Sequence, residues 1–283
     1  MGQGASQEEA DATGYRVLGV QPGSPASAVG LVSFFDFVVA CDGVELRELD
    51  STFIDKIKGS EDVPLPCSVY NLKSRRTRDV SITPTRNWGG QGMLGVTIRF
   101  DTYYKADECL VRVLSVADGS PAQAAGFIAG ADYLLGTAER VFSDADALLD
   151  ECQLHLDAAI EVYVYNVDSD EVRVAVVVPT YQWGGDGCLG ADVAHGYLHR
   201  LPTRCRGSDG VSVEPDRPAA PNAAVATGAM VTAVGASVRA GADSPPPRRN
   251  RVPGRTPPTS NPDVPRHHPT EEAGRTLSQG WSW

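Results

Sequence analysis

The stretch Arg16–Gly30, RVLGVQPGSPASAVG, decides the fold because it occurs twice in the chain. Arg112–Gly126 reads RVLSVADGSPAQAAG, and 10 of the 15 aligned positions are identical. A second pair follows at almost the same spacing, WGGQGMLG at 88–95 and WGGDGCLG at 183–190, with 6 of 8 positions identical. Solenoid repeats are only about 20–50 residues long. The sequence therefore predicts two tandem copies of a whole domain, which favours a binding module over an enzyme.

Charge and cysteine usage narrow the class of protein. Residues 1–202 carry a net charge of −14 and residues 203–283 carry +3, which together give the −11 of the whole chain. An acidic folded part argues against nucleic-acid binding, which needs a basic face. The six cysteines have no CxxC spacing and follow no signal peptide, so we expect reduced thiols in a cytosolic compartment. No apolar run approaches the roughly 20 residues of a membrane-spanning helix.

Each repeat has the pattern of a small β-rich domain. Tyr15–Val20 and Phe35–Ala40 have the composition of strands, and a short helix carries Phe53 and Ile57 on its apolar stripe. The second repeat runs in the same order, which predicts a mainly β fold with short helices (α+β). The expected boundaries are a flexible N-terminus at 1–13, domains at 14–106 and 107–202, and a tail at 203–283.

The tail composition predicts disorder. Residues 203–283 hold 12 of the 20 prolines and no lysine, and few large apolar residues remain to form a core. Trp281 and Trp283 are unusual in such a segment. They could dock on another surface, but an exposed, unused end is the interpretation we favour.

Two glycine-rich loops match the G-x-G-x-x-G pattern of dinucleotide-binding folds. The residues after the first loop, Val96–Phe100, alternate with period two and form a strand rather than the required helix, which argues against nucleotide binding. Glycines expose backbone N–H groups that can hold a carboxylate. Met93–Val96 and Cys188–Ala191 resemble the carboxylate-binding signature of PDZ domains. Their position at the end of each repeat is typical of circularly permuted PDZ domains.

The first six residues, MGQGAS, fit the pattern for N-myristoylation at Gly2. A single myristoyl chain gives only marginal, reversible membrane binding. The flank is acidic, with Glu8, Glu9 and Asp11, and supplies no second membrane signal. Stable membrane residence would therefore need oligomerisation or a membrane-bound partner.

Across residues 1–202 the chain resembles the GRASP family, the Golgi reassembly and stacking proteins. The resemblance is carried by Met1-Gly2, GYRVL at 14–18, FFDF at 34–37, NWGGQG at 87–92, LGV at 94–96, IRF at 98–100, YVYN at 163–166, WGG at 183–185 and GYLHR at 196–200. It implies a peripheral, lipid-anchored protein on the cytoplasmic face of the Golgi membrane. Such a protein would self-associate in trans between membranes and bind the C-termini of golgin-type coiled-coil proteins.

The resemblance also implies site residues. The first peptide groove would be formed by Phe53, Ile57, Leu94, Gly95, Val96 and Ile98. The second groove, with its partner contact, would be formed by Leu189, Gly190, Val193, Gly196 and Tyr197. Some animal members have a His and a Cys that share zinc with a golgin; Arg16 and Asp101 stand at those positions here. We therefore expect no metal site and no cofactor.

No catalytic constellation competes with a binding role. His155, His195 and His199 lack a metal-ligand spacing, and no serine lies in a G-x-S-x-G elbow. Trp88 and Trp183 are expected to anchor their loops, and the cysteines to be small buried apolar residues. Two alternatives to a tethering scaffold remain. One is a PDZ adaptor for cargo C-termini in trafficking or unconventional secretion. The other, regulatory domains of a protease, lacks a catalytic domain.

Overall fold

The computed structural model describes residues 12–213 and the backbone of Trp281–Ser282, all within one compact unit. Each repeat forms its own β-sheet with two short helices, which confirms the mainly β, tandem fold. The first repeat contains β1 (Thr13–Val20), α1 (Pro25–Ala28), β2 (Asp36–Cys41), β3 (Val44–Glu45), α2 (Thr52–Gly59), β4 (Leu65–Asn71), β5 (Arg76–Ile82) and β6 (Val96–Thr102). The second contains β7 (Val111–Val116), α3 (Pro121–Ala124), β8 (Asp132–Gly136), α4 (Ala145–Leu154), β9 (Ile160–Asn166), β10 (Glu171–Val177), β11 (Ala191–Ala194) and β12 (Val211–Ser212).

The two sheets have matching strand orders. The first runs β13-β6-β1-β2-β4-β5, where β13 is Trp281–Ser282 and β3 pairs with β2. The second runs β11-β7-β8-β9-β10-β12. In both sheets the strand that follows the second glycine-rich motif of the repeat, β6 or β11, lies beside the first strand of that repeat, β1 or β7. Short 3-10 turns occur at Ala106–Glu108, Tyr197–His199 and Thr203–Gly207.

The repeated Gly-Ser-Pro-Ala sequence forms the start of a short helix in each copy. The Ser24 hydroxyl accepts a hydrogen bond from the Ser27 N–H at 3.1 Å, and Pro25 occupies the first helical position. Ser120 caps α3 in the same way, with the Gln123 N–H at 3.1 Å. Serine at the cap and proline at the first position suit a helix start, because proline lacks the N–H that would otherwise be unpaired.

A buried carboxylate joins four segments of the first repeat. Asp36 accepts hydrogen bonds from the Val32 N–H at 2.7 Å and the Asn71 side-chain amide at 2.7 Å. Both guanidinium nitrogens of Arg78 also bond to Asp36, at 2.5 and 3.0 Å, and Arg78 reaches the Gly30 carbonyl at 3.1 Å. Burial raises the pKa of Asp36, and the Arg78 contacts act against that rise.

The second repeat reproduces this cluster bond for bond. Asp132 accepts from the Ile128 N–H at 2.8 Å, the Asn166 amide at 2.7 Å and the Arg173 guanidinium at 2.6 and 3.1 Å. Arg173 also donates to the Gly126 carbonyl at 2.9 Å. The duplication therefore preserves a polar contact set as well as an apolar pattern.

The repeats share an apolar core. Phe34 packs on Tyr163 with ring centroids 5.1 Å apart, and Phe35 packs on Tyr165 at 5.0 Å. A Cβ at Gly136 would lie 2.7 Å from the Phe34 ring, so this close approach requires glycine. Further members of the shared cluster are Leu18, Val32, Phe37, Leu72, Leu110, Ala131, Tyr133, Leu135, Val167, Val172, Leu201 and Cys205.

Residues 203–213 belong to the folded part, which corrects the boundary expected at 202. The Lys73 side chain is fully buried, and its ammonium donates to the carbonyls of Cys205 at 2.7 Å and Ser208 at 2.8 Å. It also forms an ion pair with Asp170 at 2.7 Å. Burial opposes ionisation of Asp170, but hydrogen bonds led by the one from Lys73 lower its pKa from the ordinary value. A lysine of the first repeat thus binds both the second repeat and the segment that follows it.

Residues 203–213 also add a strand to the second sheet. Strand β12 pairs in parallel with β10, and the Ser212 hydroxyl accepts a hydrogen bond from the Ser33 N–H at 2.8 Å. The prediction of a disordered tail is wrong for 203–213, because backbone pairing and burial of Cys205 hold these residues. Residues 214–280, which carry most of the predicted tail, lie outside the described part.

We predict that Asp36→Asn and Asp132→Asn each destabilise the fold strongly. Breaking a buried ion pair leaves its partner uncompensated and costs about 3 kcal/mol or more. Asp186→Asn, at an exposed position of the second repeat, is the matched control. Urea unfolding measures the difference. A loss at either buried site no larger than the about 0.5 kcal/mol of surface substitutions would contradict this account.

Candidate peptide-binding grooves

The glycine loop before β6 is fixed through its carbonyl oxygens. Hydrogen bonds run from Thr85 N–H to the Met93 carbonyl (2.8 Å), from Ala26 N–H to the Leu94 carbonyl (3.0 Å) and from Gln21 N–H to the Gly95 carbonyl (2.8 Å). Within residues 12–213, the N–H groups of Leu94 and Gly95 donate to no acceptor. A loop with anchored carbonyls and free N–H groups can receive an anion such as a peptide carboxylate.

The side chain of Trp88 packs against this loop. The Trp88 indole N–H donates to the Gly92 carbonyl at 3.0 Å. A Cβ at Gly90 would lie 2.0 Å from the indole, and one at Gly95 would lie 2.7 Å from the indole and 2.3 Å from the Ser24 side chain. The Trp88 indole therefore lies where side chains on Gly90 and Gly95 would be.

The loop of the second repeat has the same construction. Its hydrogen bonds run from Thr180 N–H to the Cys188 carbonyl (2.8 Å), from Ala122 N–H to Leu189 (2.9 Å), from Ala117 N–H to Gly190 (2.8 Å) and from the Trp183 indole to Gly187 (2.8 Å). In the described residues the N–H groups of Leu189 and Gly190 are likewise unpaired. Both copies retain the geometry expected of a carboxylate loop.

Strand β6 begins at Val96, as the alternating pattern predicts, and residues 93–95 form the loop before it. The apolar residues assigned to the first groove, Phe53, Ile57, Leu94, Val96 and Ile98, all lie in one cluster and are buried. Helix α2 supplies the first two and the loop with β6 supplies the others. These five residues are consequently part of the domain core.

The residues assigned to the second groove are divided between two places. Leu189 is buried, and Val193 packs against the same core from β11. Gly196 and Tyr197 lie beyond that strand, at the start of the 3-10 turn Tyr197–His199. Tyr197 is 63% exposed and Leu198 is 84% exposed, so this turn presents an apolar surface to solvent. The sequence pattern gave no direct indication that Leu198 would be exposed.

Arg16 and Asp101 form an ion pair at 3.3 Å, and Arg99 contacts the same carboxylate at 2.7 Å. Burial lowers the pKa of Arg16 to about 10, and the Asp101 carboxylate opposes that shift. The two residues line a cavity of about 300 Å³ that also touches Phe34 and Leu135 of the shared core. Among residues 12–213 no group of three or more His, Cys, Asp and Glu side chains could hold a metal ion.

Five of the six cysteines are buried and Cys109 is exposed, which corrects the prediction that all would be buried. Burial, with Cys188 nearby, raises the pKa of Cys152 to about 12. This thiol is protonated at neutral pH and behaves as a small apolar residue of the second core.

A glycine loop with free N–H groups, an adjoining edge strand and a neighbouring helix define a PDZ-like domain, and this chain has two in tandem. A family profile described as the GRASP55/65 PDZ-like domain matches residues 3–98 and 67–204. The chain belongs to this family.

Several related proteins match this chain over about as many residues as the family profile covers. Golgi reassembly-stacking protein 1 of Mus musculus is 36% identical over 205 residues, covering 72% of this chain and 46% of the relative. The Homo sapiens protein of the same name is 35% identical over 204 residues, with the same coverage. An uncharacterized Schizosaccharomyces pombe protein is 31% identical over 204 residues, covering 72% of this chain and 58% of its own length. The match spans about half the length of the two mammalian relatives.

We predict that Gly95→Ala destabilises the first repeat more than Gly89→Ala. Both glycines have positive φ, at +64° and +90°, so both substitutions strain the backbone. Only the Gly95 side chain would collide with Trp88 and Ser24, whereas Gly89 faces open space. Overpacking of this kind costs about 1–3 kcal/mol. Urea unfolding of both variants measures the difference. Equal losses of unfolding free energy would show that the Trp88 indole moves aside without cost.

Proposed function

We propose that this protein is a non-enzymatic scaffold, peripheral to the cytoplasmic face of Golgi membranes. It self-associates in trans to tether or stack cisternae and binds C-terminal peptides of golgin-type partners. The names of the mammalian relatives, Golgi reassembly-stacking protein 1, support the compartment and the activity. The observation that carries the proposal is the pair of glycine loops, each with anchored carbonyls and with N–H groups that have no acceptor within residues 12–213.

The second repeat offers the surface best suited to self-association. Strand β11 is the edge of its sheet and, in the described residues, pairs only with β7. The exposed Tyr197 and Leu198 follow directly after it. Backbone pairing at an open edge gives affinity, and adjacent apolar side chains give specificity.

Membrane attachment is assigned to a myristoyl group on Gly2, which lies outside the described residues. No helix in residues 12–213 has the length and apolar character needed to cross a membrane. One acyl chain binds a membrane weakly, so self-association would supply the second contribution by multivalency.

We predict that the double variant Tyr197→Ser and Leu198→Ser weakens self-association by roughly tenfold or more. Burying one large apolar side chain contributes about 1.5–3 kcal/mol, and about 1.4 kcal/mol corresponds to a factor of ten. Leu154→Ser is the matched control, because Leu154 is 75% exposed on another element, α4. Light scattering and aggregation of vesicles carrying the chain are the two measurements. If the double variant self-associates and aggregates vesicles as the parent chain does, this surface is not the site of self-association.

We predict that Gly2→Ala releases the protein from Golgi membranes, because myristoylation requires the N-terminal glycine. Gly2 lies outside the predicted domains, so we expect the unfolding midpoint not to change. Gly4→Ala is the control. Imaging in cells without the endogenous protein measures localisation, and a Golgi signal retained by Gly2→Ala would point to recruitment by a partner instead.

A PDZ adaptor for cargo C-termini in trafficking or unconventional secretion would use the same two loops. Depletion of the protein separates the two functions. Unlinked cisternae support tethering, whereas intact stacks with mis-sorted cargo support the adaptor.

A further inference from the structure

The first groove has an occupant from the same chain. Trp281–Ser282 form strand β13, which pairs antiparallel with β6 at the edge of the first sheet. Trp281 lies opposite Ile98 and Ser282 lies opposite Thr97. This pairing corrects the expectation that the end of the tail is unused, at least for the backbone of these two residues.

The direction of β13 matches that of a peptide that adds as a strand to a PDZ-like groove. Strand β6 begins at Val96, directly after the loop residues Leu94 and Gly95. Because the pairing is antiparallel, β13 runs from Ile98 towards Val96, and therefore towards the loop with unpaired N–H groups. A peptide bound by strand addition approaches the carboxylate loop in this direction.

The equivalent position in the second repeat is open. Strand β11 has β7 on one side and, in residues 12–213 and 281–282, no strand on the other. The loops before β6 and β11 have the same hydrogen bonds, so loop geometry does not explain this difference. The difference lies in the segment that reaches β6.

We propose that strand β13, Trp281–Ser282, is the resident intramolecular occupant of the first groove, which a partner peptide must displace, while the second groove stays accessible. This inference rests on the proposed function, because it assumes that the loop and edge strand bind peptides. Tethering gives a segment an effective concentration of about 1 mM when the linker length suits the distance to be spanned, and the value falls as the linker lengthens further. A segment with an intrinsic Kd of about 100 μM would then weaken a competing peptide roughly tenfold.

Amide hydrogen exchange tests the pairing directly. We compare the full chain with a variant that lacks residues 278–283, and expect faster exchange in Val96–Thr102 of the truncated chain. Residues 191–194, which form the open edge β11, should exchange equally in both. The synthetic peptide TLSQGWSW, residues 276–283 of this chain, should restore the protection when added to the truncated chain.

Substitution supplies a second test within the full-length chain. A double variant, Trp281→Pro and Ser282→Pro, lacks the N–H groups needed for a strand ladder and should behave like the truncation. Thr270→Pro, upstream of the deleted segment 278–283 and of the probe peptide, is the matched control. Circular dichroism confirms that each variant is folded. Labelled TLSQGWSW should bind the truncated and double-proline chains roughly tenfold more tightly than the full chain.

Two results would overturn the inference. Equal exchange of Val96–Thr102 in the full and truncated chains would show that β13 does not cover β6. Protection that grows with protein concentration would show that the strand comes from a second copy. Vesicle tethering tests the proposed function separately. If the chain tethers vesicles but truncation leaves the exchange of Val96–Thr102 unchanged, only this inference is contradicted. If exchange changes as expected but vesicles are not tethered, only the scaffold function is contradicted.

Discussion

The buried aspartate of each repeat is the contact on which the site geometry depends. Asp36 joins the turn after α1 to β4 and β5, and α1 in turn donates the Ala26 N–H to the Leu94 carbonyl. A buried carboxylate is unfavourable unless its hydrogen bonds are complete, and here one arginine and two N–H donors complete them. The position of the carboxylate loop follows from this polar cluster together with the apolar core.

Two loops of the same construction differ in what lies beside them. The first adjoins a strand that β13 covers, and the second adjoins the open strand β11 and the exposed turn at Tyr197–His199. Loops with 6 of 8 positions identical and with the same hydrogen bonds therefore differ in the segments beside them. In the second repeat the helix and loop also contribute Cys152 and Cys188 to the core, where the first repeat has no cysteine at the loop.

The repeats, strands and helix starts could be predicted from the sequence, because each depends on local chemistry: alternating apolar residues, Ser-Pro caps and glycine turns. The roles of Arg78 and Arg173 could not. A charged residue in an alternating strand resembles a solvent-facing one, and only the fold brings each arginine to its aspartate.

The same limit applies to residues far apart in the chain. Lys73 and Cys205 meet across the two repeats, so residues 203–213 look like a polar tail until tertiary contacts are known. The residues assigned to the first groove came from the family resemblance, and their burial in the core was not part of that prediction. A groove wall that is also core cannot be distinguished by periodicity from core alone.

The shared cluster around Phe34 and Phe35 has an evolutionary consequence. Each repeat has apolar residues on the face that meets its sister, including Leu18 on one side and Leu135 on the other. Loss of either copy would now leave that face bare and prone to aggregate. The duplication is therefore difficult to reverse, because deleting either domain would expose the apolar face of the other.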